Sequence, residues 1–521
     1  MSTLLLVGVF ILAIAGAPLF IIFFLSTAVS YRGAEVPMDM TNVFVSMGDL
    51  LDKPLLIPIP LFIFSGYLLA RSKTPERMVH LAEAVLGWLP GGLAVVGVAT
   101  MAFLTAFTGA SGVTIVALGG LLYPVLLKRK YSERFSLGVI TGSGSLGLLF
   151  FPSLPIFLFV TIYSLSSAGN PIEPADLFAG GVVPGFLLVA LYSAYSVWSG
   201  VRMKIDRIPF EPKRVLKALR VALGEVLLPV VIVAFLMSGL VSIAEIATVT
   251  VTYVFILEVV VHRDIHPVRD LPRIARESMM LVGAITVILS IILGMNTYLI
   301  DTEVPQRILE TMQTAIHSKA TFLLALNVFL LVVGALMDIF SAIVAVLPLI
   351  IPLGQAFGVD PVHLGVVFLV NLEIGYLHPP VGMNLFIAQF HFRKSIGTIV
   401  MAILPWLGLM FIGLILVTWV EPITLWLPTA LGRKAHVVTT GEPGTGAEAP
   451  ETSNPLLDAL EGKGTGGPGT AAPATAGEDD DGVIVPTGAT AAPGSAIPAP
   501  PPAPPDDTGE IAPTKPTTAA P

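Results

Sequence analysis

The sequence has no cysteine, and only 12% of its 521 residues are charged. The absence of cysteine excludes disulfide bonds, thiolate metal sites and cysteine nucleophiles. Soluble globular chains carry about 25% charged residues, roughly twice the share found here. Because 54% of the residues are hydrophobic, a water-soluble domain of this composition would expose apolar surface that it cannot hide. The composition therefore excludes an ordinary soluble enzyme.

The net charge of −8 is confined to the C-terminal segment. Residues 432–521 hold 12 acidic and four basic side chains, which leaves 24 of each kind in residues 1–431. The segment also contains 16 of the 43 prolines, together with much alanine, glycine and threonine. Such a composition buries too little apolar surface to offset chain entropy. We therefore predict a hydrophobic body over 1–431 and a disordered acidic tail over 432–521.

The body contains apolar runs that are long enough to cross a membrane. A helix needs about 20 residues to cross the roughly 30 Å of hydrocarbon in a bilayer. The longest runs, 92–127 and 320–353, are interrupted by glycine, serine or proline, which predicts broken helices or re-entrant hairpins. The basic segments 202–220 and 263–276 are predicted to be cytoplasmic by the positive-inside rule, with the spans over 222–261 between them. Segments 71–77 and 128–134 are also basic.

An internal repeat is the most informative feature of the body. A shift of 228 residues, without a gap, aligns 115–152 with 343–380. Apolar identities alone can arise from shared composition, but the alignment also matches residues that fix backbone geometry: Pro124 with Pro352, Gly147 with Gly375 and Pro152 with Pro380. Duplicated segments interrupted by glycine and proline are typical of secondary transporters, whose sites lie near the bilayer midplane. The repeat therefore predicts a transporter.

The first repeat breaks its apolar runs with glycines and hydroxyl groups. One break is Thr108-Gly-Ala-Ser-Gly-Val-Thr114, and the other, Thr141-Gly-Ser-Gly-Ser-Leu-Gly147, leads into Phe151-Pro-Ser-Leu-Pro155. Unwound backbone is tolerated inside a membrane only where it is buried in protein or lines a cavity. There its carbonyl groups can coordinate a cation, while helix N-termini attract anions. These breaks are therefore predicted to form the site.

The second repeat places ionisable side chains inside its apolar runs. Asp338, Glu373 and His378 lie where a charge is costly and usually functional. Asp338 also fits two structural roles, as a helix cap or as a neutral, hydrogen-bonded carboxylic acid. Oxygen ligands in the absence of cysteine favour a hard cation such as Na⁺ over a transition metal.

Several stretches together resemble the large membrane subunit of tripartite ATP-independent periplasmic (TRAP) transporters. They are Phe103–Gly112, Gly144–Pro155, Met337-Asp338, Asp360–Gly365 and Pro379–Gly382. The resemblance covers about residues 1–430. It implies an all-α polytopic membrane protein, a duplicated inverted-repeat transporter of the elevator type, with two re-entrant helical hairpins and broken helices. The membrane transport domain would occupy 1–431, with repeat units at about 54–199 and 278–427.

The resemblance also implies the function and the partners. It implies a Na⁺-coupled importer of a small organic acid, such as a C4-dicarboxylate, a keto acid or a sugar acid, in the bacterial inner membrane. The expected partners are a small four-helix membrane subunit, a periplasmic solute-binding protein and the lipid bilayer. Neither enzymatic activity, nor an organic cofactor, nor binding of nucleic acid is expected.

Carried onto this sequence, the resemblance implies two groups of site residues. The Na⁺ candidates are Gly109, Ser111, Gly112, Asp338, Ser341, Asn371 and Gly382. The substrate candidates are Ser143, Ser145, Pro152, Glu373, His378, Pro379 and Asn384.

Three other interpretations remain open at this point. A stand-alone Na⁺/anion symporter of related duplicated fold would need no binding protein. A membrane enzyme would require hydrolysis that depends on Ser143, and a structural membrane subunit would tolerate the loss of the Asp338 charge.

Overall fold

The structure is a computed structural model of the chain. It describes residues 19–32, 56–166, 172–207, 209–238, 241–313, 316–379 and 382–433, with the isolated positions 8, 12, 41, 44, 45 and 48. The predicted disordered tail beyond Arg433 lies outside these residues, as do Pro380 and most of the N-terminal apolar run at about 3–25. Within the described ranges the chain is helical and contains no strand.

Nineteen helices follow one another in the described part of the chain. They are α1 (Leu19–Arg32), α2 (Pro58–Arg71), α3 (Thr74–Leu86), α4 (Gly92–Thr108), α5 (Ser111–Lys128), α6 (Glu133–Ser143), α7 (Leu154–Ser166), α8 (Pro174–Arg202), α9 (Pro212–Val221), α10 (Leu223–Ser238), α11 (Ile243–Phe255), α12 (Leu271–Asp301), α13 (Val304–Gln313), α14 (Lys319–Leu336), α15 (Ile339–Ala356), α16 (Pro361–Gly375), α17 (Met383–Phe392), α18 (Ile396–Trp419) and α19 (Pro422–Ala430). A 3₁₀ turn, Leu146–Leu149, lies between α6 and α7, and a π-helix, Ile256–Val261, continues α11.

The lengths and composition of these helices fit a multi-pass membrane protein. Among the described residues, seven helices are long and apolar enough to cross a membrane, or up to nine if each of two bent helix pairs is one span. One bent pair joins Glu133–Leu149 to Leu154–Ser166 at an angle of 42°. It is the broken element that the glycines and prolines of the first repeat predict.

The first interrupted run folds as a re-entrant hairpin of α4 and α5. A Cβ atom on Gly97 in α4 would lie 3.5 Å from the side chain of Leu122 in α5. Because these two positions are about equally far from the break at residues 109 and 110, the two helices pack antiparallel on either side of that break. Gly109 ends α4 with a φ of +61°, a left-handed conformation that glycine adopts without strain. A Cβ there would also come within 2.8 Å of Leu154.

The second interrupted run folds as α14 and α15, which break at Met337 and Asp338. The two arms spread: α14 packs mainly on α16, whereas α15 packs mainly on α7. Asn327 in α14 accepts a hydrogen bond at 2.7 Å from the side-chain amide of Asn371 in α16. In each repeat, two helices joined at a two-residue break, called a hairpin here, are followed by a broken helix.

Contacts at the helix ends show that the two hairpins enter from opposite sides. The end of α5 and the start of α6 lie on the side of the basic segments, where Glu133 pairs with Lys394 before α18. At the other end of α18, Glu421 pairs with Lys319, the first residue of α14, at 2.7 Å. Gln355, at the end of α15, donates a hydrogen bond to Tyr163 near the end of α7. The repeat is therefore inverted, whereas its boundaries stay predictions.

A buried charge cluster holds together the end of the linking spans that adjoins the basic segments 202–220 and 263–276. Arg77 in α3 contacts Glu225 in α10, Glu258 in the π-helix at 2.9 Å, and Asp264 at 2.5 Å. Both glutamate side chains are fully buried, and Thr74 donates a further hydrogen bond to Glu258 at 2.7 Å. One guanidinium group thus ties α3 to α10, to α11 and to the loop after it.

Candidate functional site

The two hairpin tips meet at one large cavity. Its volume is about 1180 Å³, and the tips contribute Ala110–Val113 from the first repeat and Asp338, Phe340 and Ser341 from the second. Tyr376, just after α16, and Met383, the first residue of α17, complete this wall. The rest of the lining belongs to α2 and α12. The duplicated breaks therefore face a common space.

Hydroxyl groups hold the first tip. The Thr105 hydroxyl lies 2.8 Å from the Gly144 carbonyl oxygen and 2.8 Å from the Thr114 hydroxyl, which joins both hairpin arms to the break after α6. Ser111 donates a hydrogen bond to Asn384 Oδ1 in α17 at 2.7 Å. The tip of the first repeat is thereby connected to the broken element of the second.

A carboxylate organises the second tip. Asp338 is the N-cap of α15, and its Oδ2 accepts hydrogen bonds from the backbone amides of Phe340 at 3.0 Å and Ser341 at 3.1 Å. Its Oδ1 accepts a hydrogen bond at 2.5 Å from the Ser341 hydroxyl. The Tyr376 hydroxyl accepts another from the Ile339 amide at 2.9 Å. The helix-cap role of Asp338 is therefore confirmed, and its carboxylate borders the cavity as well.

This wall of the cavity suits a cation and an anion together. The helices α5 and α15 both begin at the cavity, so their N-termini present positive partial charge to it. The hydroxyls of Ser111 and Ser341 and the carboxylate of Asp338 are hard oxygen ligands.

Four of the predicted site residues line the cavity: Ser111, Gly112, Asp338 and Ser341. Three more are connected to it. Gly109 ends α4 beside Ala110, Gly382 precedes Met383, and Asn384 bonds Ser111. Gly382 has a φ of +34°, and a Cβ there would lie 2.9 Å from the His378 carbonyl oxygen, so glycine is required.

The other predicted residues lie away from the cavity lining. Ser143, Ser145, Asn371 and Glu373 are fully buried, and neither carboxylate oxygen of Glu373 has a hydrogen-bond partner among the described residues. Pro152, His378 and Pro379 also lie outside the lining. The assignment of these seven residues to substrate or ion contact stays a prediction.

The sequence patterns missed one whole wall of the cavity. Tyr67, Ala70 and Arg71 of α2 line it, as do Leu281, Ala284 and Ile288 of α12. Both helices belong to ordinary apolar runs, and Arg71 was noted only as part of the basic segment 71–77. The sole signal in the sequence is that an arginine ends the run 54–71.

Two oppositely inserted hairpins whose tips share a cavity define a multi-pass membrane transporter. The sequence matches the family described as "Tripartite ATP-independent periplasmic transporter, DctM component" over residues 6–423. The chain belongs to this family, and it is the large permease subunit. It is therefore a transport protein of the bacterial inner membrane and not an enzyme. In this family the large permease works with a small membrane subunit and a periplasmic binding protein.

Individual relatives agree with the family assignment. The chain is 33% identical to the C4-dicarboxylate TRAP transporter large permease protein DctM of Vibrio cholerae, over 72% of this chain and 86% of that protein. It is 31% identical to the protein of the same name from Rhodobacter capsulatus, over 83% of this chain and all of that protein. The crystal structure of the Alcanivorax borkumensis YdaH transporter shares the fold, with a TM-score of 0.53 over 79% of this chain and 98% of that chain, at 15% identity.

Proposed function

We propose that this chain is the permease of a Na⁺-coupled importer that moves a small organic acid from a periplasmic binding protein to the cytoplasm. The observation that carries the proposal is the common cavity of the two tips, which combines hydroxyls, a carboxylate and two helix N-termini. A C4-dicarboxylate is the first substrate to test, because relatives at 33% and 31% identity are named for it. The expected partners are a small four-helix membrane subunit and a solute-binding protein.

In the proposed cycle, Na⁺ binds first to oxygen atoms at the hairpin tips. A bound cation orders the tips and adds positive charge beside the helix N-termini, which favours binding of a carboxylate. The body that carries the hairpins then moves as an elevator against α2 and α12. The membrane potential contributes about 2.3 kcal/mol per net charge per 100 mV, in addition to the Na⁺ concentration gradient.

The direct test is uptake of radiolabelled succinate into proteoliposomes that contain the chain, its small membrane subunit and the loaded binding protein. Uptake is expected with an inward Na⁺ gradient and not with a matched K⁺ gradient. Equal uptake in both gradients would refute the coupling. Uptake by the permease without the binding protein would instead select the stand-alone symporter.

A further inference from the structure

We propose that Arg71 is the group of this cavity that receives a carboxylate of the transported acid, and that Glu277 is the counter-ion which exchanges with it. The inference deepens the proposed function and rests on it in one respect, namely that the cargo is an anion. No sequence pattern pointed to this position, which lies on the part of the lining that α2 forms.

Arg71 lies on the face of α2 that lines the cavity. Tyr67, Ala70 and Arg71 have the i, i+3, i+4 spacing of one helix face, and all three line the cavity. Among the described residues that line it, Arg71 is the only one with a cationic side chain. Its guanidinium group can bind a carboxylate through two parallel hydrogen bonds, which a hydroxyl or a single helix N-terminus cannot do.

In the structure, the carboxylate of Glu277 binds Arg71 where a carboxylate of the cargo would bind. An Arg71 Nη2 atom lies 2.5 Å from Glu277 Oε2, and Arg273 Nε bonds the other oxygen of Glu277 at 3.1 Å. Glu277 lies four residues before Leu281 and seven before Ala284 in α12, on the face that borders the cavity. The carboxylate therefore has a second arginine, outside the lining, to which it can remain bound when Arg71 takes another partner.

Because the side chains of Arg71 and Glu277 are both partly exposed, exchanging the partner of Arg71 costs little free energy. The Arg71 side chain is 51% exposed and that of Glu277 is 28% exposed. Where water reaches it, an ion pair this exposed in the single chain contributes little net stability, so another carboxylate can replace Glu277 at a small energetic cost. Because Arg71 begins the basic segment 71–77, and basic segments favour the cytoplasmic side, we place the exchange at the cytoplasmic end of the cavity. Glu277 would then return to Arg71 as the acid leaves.

The charge distribution also explains why the two walls differ. Asp338, at the second tip, is the only carboxylate among the described lining residues, and Arg71, on α2, is the only cationic side chain among them. A Na⁺ ion beside Asp338 and a carboxylate of the acid beside Arg71 would then each lie next to a group of opposite charge. Without Arg71, a carboxylate in this cavity would contact only helix dipoles and hydroxyl groups.

The absence of native cysteine permits a test that needs no knowledge of the cargo. A single cysteine at Ala284 lies about 10 Å along α12 from Glu277, from a rise of 1.5 Å per residue. Its rate of modification is measured with the anionic reagent methanethiosulfonate ethylsulfonate and with the cationic ethyltrimethylammonium analogue, on the purified chain in nanodiscs. The ratio of the two rates reports the local electrostatic potential.

We expect Arg71→Gln to lower the anionic-to-cationic ratio on the order of fivefold, and Glu277→Gln to raise it by a similar factor. Arg273→Gln is the matched control, because it removes another arginine of the same cluster that does not line the cavity, and it should change the ratio less than twofold. An unchanged ratio in Arg71→Gln, or an equal change in Arg273→Gln, would overturn the inference.

Succinate uptake in the three-component proteoliposomes separates this inference from the proposed function. Arg71→Gln should reduce uptake at least fivefold. Arg71→Lys should retain the anionic-to-cationic modification ratio, because it keeps the charge, but it should raise the KM for succinate, because it loses the bidentate hydrogen bonding. Wild-type uptake that persists in Arg71→Gln would refute the role of Arg71 alone. Wild-type protein that takes up no succinate would refute the C4-dicarboxylate proposal, and the rate ratios would still decide on Arg71.

Discussion

The two hairpin tips reach one cavity with the same backbone plan, but they begin their second helix differently. Ala110 is the N-cap of α5, and Asp338, its partner at an offset of 228 residues, is the N-cap of α15. Alanine offers no acceptor, so hydroxyl groups around Thr105 and Gly109 at the left-handed position hold the first tip. In the second tip the aspartate accepts three hydrogen bonds by itself. Duplication thus preserved geometry, while charge entered only one half.

The preserved geometry is clearest where each broken helix crosses its hairpin. A Cβ on Gly147 would lie 2.5 Å from the backbone nitrogen of Ala106, and a Cβ on Gly375 would lie 2.5 Å from the backbone of Gly334. These pairs are related by the same offset of 228 residues. Backbone packed against backbone leaves no flexible side chain that can move aside. Glycine is therefore required at both places, whatever chemistry surrounds it.

The largest expected effect concerns the opposite insertion of the hairpins. Lys128→Cys at the end of α5 and Ala320→Cys at the start of α14 each provide a single exposed thiol in a chain without cysteine. In intact spheroplasts, a membrane-impermeant maleimide should label Ala320→Cys fully and Lys128→Cys only after permeabilisation. Labelling of both from the same side would contradict the inverted repeat.

The matched glycines give the next largest effect. Gly147→Ala and Gly375→Ala should each lower the free energy of unfolding by about 3 kcal/mol, because overpacking forces the backbone to shift. Gly408→Ala in α18 is the control, since a Cβ there would meet nothing within 4 Å and alanine favours a helix. Thermal unfolding of the purified variants measures all three. A stable Gly375→Ala beside an unstable Gly147→Ala would show that the two crossings are not equivalent.

Asp338 tests whether the charge of the second tip has a role beyond capping. Asparagine caps a helix about as well as aspartate, whereas alanine costs about 1 kcal/mol. Asp338→Asn should therefore unfold like the wild type but lose at least tenfold in Na⁺-driven uptake at low Na⁺ concentration. Asp338→Ala should lose both stability and uptake. If Asp338→Asn transported normally, the carboxylate would act as a cap only.

The smallest expected effect belongs to the link between the two repeats. A double-mutant cycle of Ser111→Ala and Asn384→Ala should give a coupling energy of about 1 kcal/mol, the usual contribution of one hydrogen bond. The control cycle pairs Ser111→Ala with Asn371→Ala, because Asn371 bonds Asn327 instead. That cycle should be additive within about 0.5 kcal/mol, and a coupling as large as the first would contradict the direct link.

Periodicity and breaks predicted the tip wall of the cavity but not the other wall. The repeat, the glycines near 109 and 382, and Asp338 are visible because they violate the pattern of an apolar span. Ser242-Ile-Ala-Glu245 likewise has the spacing of a capping box, and the structure forms it at the start of α11. Tyr67 and Ala70 violate no pattern, because they lie on an unbroken helix whose partner, α12, is more than 200 positions away. Their role depends on packing between distant elements, which local patterns do not encode.

The ion pairs of Arg433 tie the end of the described chain back to the start of α8. Arg433 Nη1 lies 2.6 Å from Asp176 Oδ1 and 3.2 Å from Glu173 Oε2, at the start of α8. Since α8 is 29 residues long and ends at Arg202, this anchor lies at the opposite end of α8 from the basic segment 202–220. One guanidinium group therefore closes the 257-residue stretch between Asp176 and Arg433, which contains the second repeat, back onto the start of α8.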